Sequence, residues 1–438
     1  MNNLNRRNLI GAAFALVASP RTLLAMQDPT QSLVDQALRA QSKGDWVTME
    51  RLLREAIAAG RTDEGVLRAF AFALNNQWKF TEAIRVALDN NQRNPGAFSV
   101  AGVCETYINS GDYDNGRKWL KFAKENENQW GQARPLFENS QTSLEEKSYR
   151  ISYELDPSTL DRIPATDKPV ADFTCPLPFA DLPYQKSSYD ISGAKSFREE
   201  KAGENSFLRI VPEGSQRIAV TLEVTLTPSN FRKRMHPFSA SDVPLSVQPL
   251  VKSTPHVEVE DDQVKRISAT LKGSNAIESI ENVMRWSHTN LEWKGGPGAA
   301  DMETDSKLVG GGAAAVLKRR YGHCEGETSG VVALLRALGI PARFVRGNSG
   351  IWADSGDLAF HTWTEFYTPT FGWLQWDLNN PPFTVPVKAC VGHFRYTSPY
   401  GVSPYGKPGS GDADTWNSWF FYTQVMAPGR ATYTRIKK

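Results

Sequence analysis

Cys324, His361 and Asp377 are the residues of this 438-residue chain whose types could perform covalent chemistry together. A thiolate is a nucleophile, an imidazole moves protons near neutral pH, and a carboxylate can hold that imidazole in one orientation. Their surroundings support the grouping. Tyr321-Gly322-His323-Cys324-Glu325-Gly326 stops one helical run and opens another, in which Val331, Leu334, Leu335 and Leu338 fall at i, i+3, i+4 and i+7. That spacing is the stripe of an amphipathic helix packed on a core. Gly339 and Pro341 end it. A thiol at such a helix start meets the positive end of the macrodipole and unpaired N–H groups, which favour thiolate.

The other two residues need a hairpin to bring them together. Ala342 to Arg346 reads as a strand, and a Gly/Asn/Ser/Asp-rich loop follows. The runs His361 to Tyr367 and Trp373 to Asp377 then flank Thr368-Pro369-Thr370-Phe371-Gly372, a hairpin turn. Pairing about Pro369 makes facing residue numbers sum to 738, so His361 opposes Asp377, Trp363 opposes Gln375, and Glu365 opposes Trp373. His361 and Asp377 then share a face, where the carboxylate can hold one ring nitrogen and leave the other for the thiol. A one-residue slip would separate them.

From about Ala276 to Pro382 the chain resembles the core of the transglutaminase-like superfamily, a papain-like Cys-His-Asp arrangement. The resemblance is carried by Gly322-His323-Cys324 before an apolar helix, Arg336 to Arg343 after it, His361-Thr362-Trp363-Thr364-Glu365, and Gly372-Trp373-Leu374-Gln375-Trp376-Asp377, in that order. It implies Cys324 as nucleophile, His361 as general base and acid, and Asp377 as the residue orienting His361. It covers about a quarter of the chain. The expected chemistry is acyl transfer from an amide of a peptide or protein substrate, to water or to another amine. The rival reading is a noncatalytic peptide- or protein-binding scaffold, because fold alone does not give function. A cysteine inside a core is ordinarily a small hydrophobe, and a lone histidine beside a strand is ordinarily a satisfied polar residue.

Residues 1–25 read as an export signal: Arg6-Arg7 precede an apolar run from Leu9 to Ala18, with small residues before Ala25. The run is shorter than the ~20 helical residues of a bilayer span. Twin arginines suggest the Tat route to a bacterial periplasm, with general secretion or a retained anchor as alternatives. Without residues 1–25 the chain loses three arginines and no acid, so it is near neutral. That balance argues against nucleic acid or an anionic membrane as partner.

Turn motifs recur at Gly44-Asp45-Trp46, Trp78-Lys79-Phe80 and Gly111-Asp112-Tyr113, at intervals of 34 and 33 residues. The region 31–145 thus resembles tetratricopeptide repeats, helix-turn-helix units that would dock a protein partner. An ordinary helical bundle shares the pattern. Between 151 and 272 the period changes to two, with Ile218, Val220, Leu222, Val224 and Leu226 on one strand face. This predicts an antiparallel β domain. The whole reads as an α+β multidomain chain: signal, α-hairpin region, middle β domain, and a transglutaminase-like α+β core over 273–438. Within the core, Ser274-Asn275 should cap a helix, Ala313 to Arg320 should form another, and an aromatic loop and closing strands should end the chain.

Four cysteines without CxxC or Cys/His spacing predict no structural zinc. No cofactor is expected. Cys175 with Cys390 is the one disulfide pairing considered. Trp363, Trp373 and Trp376, in predicted strands, read as core. Gly310 to Gly312 lacks the Gly-Lys-Ser/Thr ending of a phosphate loop and reads as a flexible helix entry.

Overall fold

The computed structural model describes residues 29–129, 134–158, 172–202, 204–293, 312–348, 360–378, 380–385, 391–396 and 431–436. The chain divides into two compact units, Met1–Leu144 and Glu145–Lys438. The export-signal residues, the aromatic loop after Tyr396 and Cys390 lie outside the described residues.

In the first unit α1 (Pro29–Ser42) and α2 (Trp46–Ala58), α3 (Glu64–Asn76) and α4 (Phe80–Arg93), and α5 (Ala97–Asn109) and α6 (Tyr113–Glu125) form three helical hairpins. A further helix, α7 (Arg134–Leu144), packs on α5 and α6. Each hairpin turns where the sequence motif recurs, and each turn needs one left-handed residue: Gly44 at φ 69°, Trp78 at 56° and Gly111 at 75°. Asp45 and Asp112 then cap the second helix by accepting from Thr48 N and Asn115 N. Trp78 does without glycine. Its left-handed backbone costs about 1–2 kcal/mol, less than the about 3–5 kcal/mol lost when a buried tryptophan is removed, and the Trp78 side chain is 4% exposed and stacked on Phe80.

The second unit opens on β1 (Lys147–Leu155), β2 (Phe173–Pro176), β3 (Gln185–Ser192), β4 (Ala194–Ala202), β5 (Asn205–Pro212) and β6 (Ile218–Leu226), all paired antiparallel. The alternating side of β6 is the predicted one, with Ile218, Val220, Leu222, Val224 and Leu226 all buried in one core. Cys175 lies in that core as a free thiol beside Pro176 O. After β6 the connection to the helices that follow runs through short turns of 3-10 helix, Arg232–Arg234, Ala240–Asp242 and Gln248–Val251.

From there the elements follow as β7 (Ser229–Asn230), α8 (Asp262–Leu271), α9 (Ala276–Asn290), β8 (Glu292–Trp293), α10 (Gly312–Arg319), β9 (Tyr321–Gly322) and α11 (Cys324–Ala337). After α11 come β10 (Ala342–Asn348), β11 (Phe360–Thr368), β12 (Gly372–Trp376), β13 (Thr384–Val385), β14 (Val391–Tyr396) and β15 (Ala431–Ile436). A four-stranded sheet runs β12-β11-β10-β14. The closing strand β15, which the sequence places with the α+β core, instead pairs with β1 and completes the sheet β15-β1-β6-β3. Likewise β13 pairs with β7. Strand pairing therefore interlocks the β-rich and α+β parts.

Helix α11 is the axis of this unit. Its sequence predicts one apolar stripe, but the helix is buried on all sides from Glu325 to Arg336, because β10, β11, α8, α9 and α10 surround it. Small residues allow the approach of α10: a Cβ on Gly330 would come 3.1 Å from Leu317 Cδ2. At the far end, buried Arg336 donates from Nε to Ala342 O and from Nη1 to Lys252 O and Thr254 Oγ1. It thereby ties the helix end to the start of β10, and burial pulls its guanidinium down to about 10.

Candidate active site

Cys324 is the first residue of α11, placed there because His323 supplies the N-cap and Gly322 lets the chain enter closely; a Cβ on Gly322 would stand 3.3 Å from Glu327 N. One turn on, Thr328 Oγ1 lies 2.7 Å from Cys324 O and 3.3 Å from Thr362 O. This contact sets the helix start against β11 at the residue beside His361. The thiol is partly exposed, whereas Cys104 and Cys175 are buried.

The hairpin register differs from the predicted one. Glu365 pairs with Gln375, Tyr367 with Trp373 and Thr368 with Gly372, so facing numbers sum to 740 and the turn centres on Thr370 rather than Pro369. The cause is a three-residue loop, Pro369 to Phe371, closed by Gly372, whose φ of 69° continues the turn. Because the shift is an even number of residues, side chains keep their faces. His361 and Asp377 therefore become diagonal neighbours rather than opposite ones, and they still meet: His361 Nε2 lies 3.1 Å from Asp377 Oδ2, without the alignment of a linear hydrogen bond. Trp363 and Gln375 are likewise diagonal, with Nε1 donating to Oε1 at 3.0 Å.

Both members of the His361–Asp377 pair are fixed from behind. Asp377 Oδ1 accepts from Leu378 N at 2.9 Å, and Asp377 O accepts from Asn380 N at 2.8 Å. Leu378 O in turn lies 2.8 Å from His288 Nδ1, so that nitrogen carries the proton. His361 is 4% exposed, packs its ring 5.8 Å from that of Trp363, and pairs in the sheet with Gly347 of β10.

Electrostatics separates the three described thiols. Burial pushes Cys104 up to about 11 and raises Cys175 further. Burial also opposes ionisation of Cys324, but the neighbouring imidazoles of His323 and His361 outweigh it and hold the thiol well below its usual value. For His361 burial alone would favour the neutral ring. The Asp377 charge and the contact with Cys324 override it and hold the imidazole well above its usual value. The pair thus favours thiolate with imidazolium, the charge state in which a thiol attacks and a ring can deliver a proton.

Two features of this region were silent in the sequence. His323 was read only as part of a motif, yet its ring caps α11, with Nδ1 accepting from Glu325 N at 3.1 Å. Further along the sheet, Glu365, fully buried, accepts from Arg343 Nε at 2.8 Å and from Arg395 Nε at 3.0 Å. Arg343 also reaches Glu204 and covers Trp373, its guanidinium carbon 3.6 Å from the ring centre, while Arg395 reaches Asp181. This cluster welds β10, β11 and β14 to the loops of the β-rich part. Trp363 and Trp376 are fully buried, as core residues should be, and Trp373 is half-buried under Arg343. Among the described residues no group of three or more His, Cys, Asp or Glu could hold a metal ion, and no helix is long and apolar enough to cross a membrane.

Residues 264–378 match the transglutaminase-like superfamily. A stretch of 73 residues is 33% identical to the uncharacterized protein YebA of Bacillus subtilis, covering 14% of this chain and 10% of that relative. The chain thus spans about a tenth of the length of the curated relative it matches. Among solved structures, the "Putative Cysteine Protease from Cytophaga hutchinsonii" overlaps 67% of this chain and 89% of its own, at 14% identity and a TM-score of 0.39. Red sea bream transglutaminase overlaps 64% of this chain and 52% of its own, at 12% identity and a TM-score of 0.24. With α11 leading from its cysteine onto the β10–β12 sheet, residues 264–378 form a transglutaminase-like domain.

Proposed function

We propose that this protein is a cysteine-dependent enzyme of amide acyl transfer, with Cys324 as nucleophile, His361 as general acid and base, and Asp377 as the residue orienting His361. The observation that carries the reading is the helix-start thiol held toward its anion beside a buried imidazole whose Nε2 is 3.1 Å from Asp377. The Cys324 thiolate attacks the amide carbonyl carbon, forming a C–S bond. His361 delivers its proton to the nitrogen as the C–N bond breaks, leaving a thioester. Water or a second amine then attacks the thioester, His361 takes its proton, and the thiolate leaves. Backbone N–H groups at the α11 start supply part of the oxyanion hole.

Among the described residues nothing selects a glutamine or lysine substrate, so the substrate class is amides of peptides or proteins, with hydrolysis and transamidation as the two fates of the thioester. We further propose that Arg6-Arg7 and the apolar run after them direct the chain out of the cytoplasm, and that the three hairpins of the first unit dock a protein partner in the manner of tetratricopeptide repeats. The test is mass-spectrometric capture of the thioester with an activated amide or ester substrate. Wild type should carry the acyl group on Cys324 and Cys324→Ser should carry none on a thiol. Acylation at another residue, or none with any acyl donor, would refute the nucleophile assignment.

A further inference from the structure

The sheet gives the ring of His361 little to rest on. Its register partner in β10 is Gly347, and Gly347 pairs in turn with Gly392 of β14, so neither strand offers a side chain in that row. The close backbones require glycine there: a Cβ on Gly347 would stand 2.0 Å from Val391 O. Asp377 meets the ring at 3.1 Å without the alignment of a linear hydrogen bond. Among the described residues of the sheet, what remains to set the imidazole plane is Trp363. It stands two residues along the same face of β11, its ring centre 5.8 Å away and tilted by 32°.

The indole is itself fixed by Gln375. Trp363 is fully buried and its Nε1 can only donate, so the Gln375 amide must present its oxygen, which lies 3.0 Å away. That orientation leaves Gln375 Nε2 buried with no acceptor among the described residues. Glu365, which faces Gln375 in register, instead receives Arg343 on one oxygen and Arg395 on the other. A buried, half-satisfied amide is costlier than an apolar side chain of similar size, so packing alone gives no reason for glutamine here. A hydrogen bond gives one, because it has a direction and apolar contact has none. We propose that Gln375 is a positioning residue for His361: by accepting from Trp363 Nε1 it sets the plane of the indole, and the indole holds the imidazole beside Asp377. This rests on the reading of His361 as acid and base for Cys324.

Gln375→Met fills the same space without the acceptor, and Trp363→Phe keeps an aromatic wall without the donor. Each variant of the full chain is melted and then mixed with p-nitrophenyl acetate. The acylation rate is followed across pH, and its site is checked at Cys324 by mass spectrometry. Gln375→Met should melt at or above the wild-type temperature yet acylate about 10–100-fold more slowly, the scale of loss when a reacting group is displaced by up to about 1 Å. The alkaline limb of its pH profile should move toward neutral, since a ring that drifts from Asp377 gives up its proton sooner. Trp363→Phe should lose a similar factor, and the double variant no more than either single one, because both changes break one bond. A Gln375→Met variant with the wild-type rate and profile overturns the proposal. So do losses that multiply in the double variant, or slow acylation with a lower melting temperature and an unmoved alkaline limb, which mark a packing role. Failure of both single variants to fold counts the same way. If wild-type Cys324 stays unacylated, the nucleophile reading falls and takes this proposal with it, whereas an acylating wild type with an unchanged Gln375→Met variant sinks only the role of Gln375.

Discussion

Replacing Glu365 by glutamine should destabilise the second unit far more than its chemical conservatism suggests. The carboxylate is fully buried and receives Arg343 Nε at 2.8 Å and Arg395 Nε and Nη2 at 3.0 and 3.1 Å. Removing one member of a buried ion cluster costs about 3–5 kcal/mol, because the charges left behind remain desolvated. Here each arginine keeps a rim acid: Glu204 for Arg343, and Asp181 with Glu204 at 3.9 Å for Arg395, the Glu204 and Asp181 side chains being 50% and 57% exposed. Those rim carboxylates offset part of the loss, so the low end, about 3 kcal/mol, is expected. For a unit of this size that is a fall of roughly 10 °C in melting temperature. The control is Glu223→Gln, which breaks the exposed pair with Arg150 and should change stability by less than about 0.5 kcal/mol. Urea unfolding followed by tryptophan fluorescence measures both. If Glu365→Gln and Glu223→Gln cost the same, the cluster does not hold the sheets together and the reasoning fails.

Activity against pH should be bell-shaped. The Cys324 value is depressed in the folded chain, so the thiolate is lost only as pH falls through that lowered value, well below 9.0. The His361 value is elevated, so its proton is lost only as pH rises through a value well above 6.5. The active ion pair and its contribution to stability therefore span neutral pH, and the two limbs report apparent constants of the pair. A single sigmoid rising toward pH 9 would contradict this. Asp377→Asn should lower kcat by about 10²–10⁴-fold and draw the alkaline limb toward neutral pH, whereas an unchanged limb would show that Asp377 does not set the ring. In the first unit, Gly111→Ala should cost about 1–2 kcal/mol because the left-handed backbone at φ 75° tolerates a Cβ poorly. Circular dichroism of the full chain with unchanged melting would place the turn elsewhere.

Much of this arrangement was legible because local rules and tertiary structure agree. Alternation along Ile218 to Leu226, the cap at Asn275, and turns at Gly44, Trp78 and Gly111 each follow from a short run of residues. The hairpin was half legible. Residue period fixes which side chains share a face, but the loop length that sets register depended on Gly372 adopting a positive φ, and Pro369 drew the predicted centre one residue too early. Long-range partners left no local trace. Nothing near Glu365 announces Arg395 or, from 139 residues before Arg343, Glu204. The same holds for β15 pairing with β1 and for the burial of α11 on every side, since a stripe of leucines says where one core lies and not how many elements surround the helix.

The most direct test of the central claim is the alkylation rate of each thiol in the folded chain near pH 6, compared with a His361→Ala variant. Cys324 should react selectively over Cys104, which burial holds at about 11, and over Cys175. His361→Ala should abolish that selectivity by removing the imidazolium that stabilises the thiolate. Equal labelling of all described cysteines, or a Cys324 rate untouched by His361→Ala, would contradict the account.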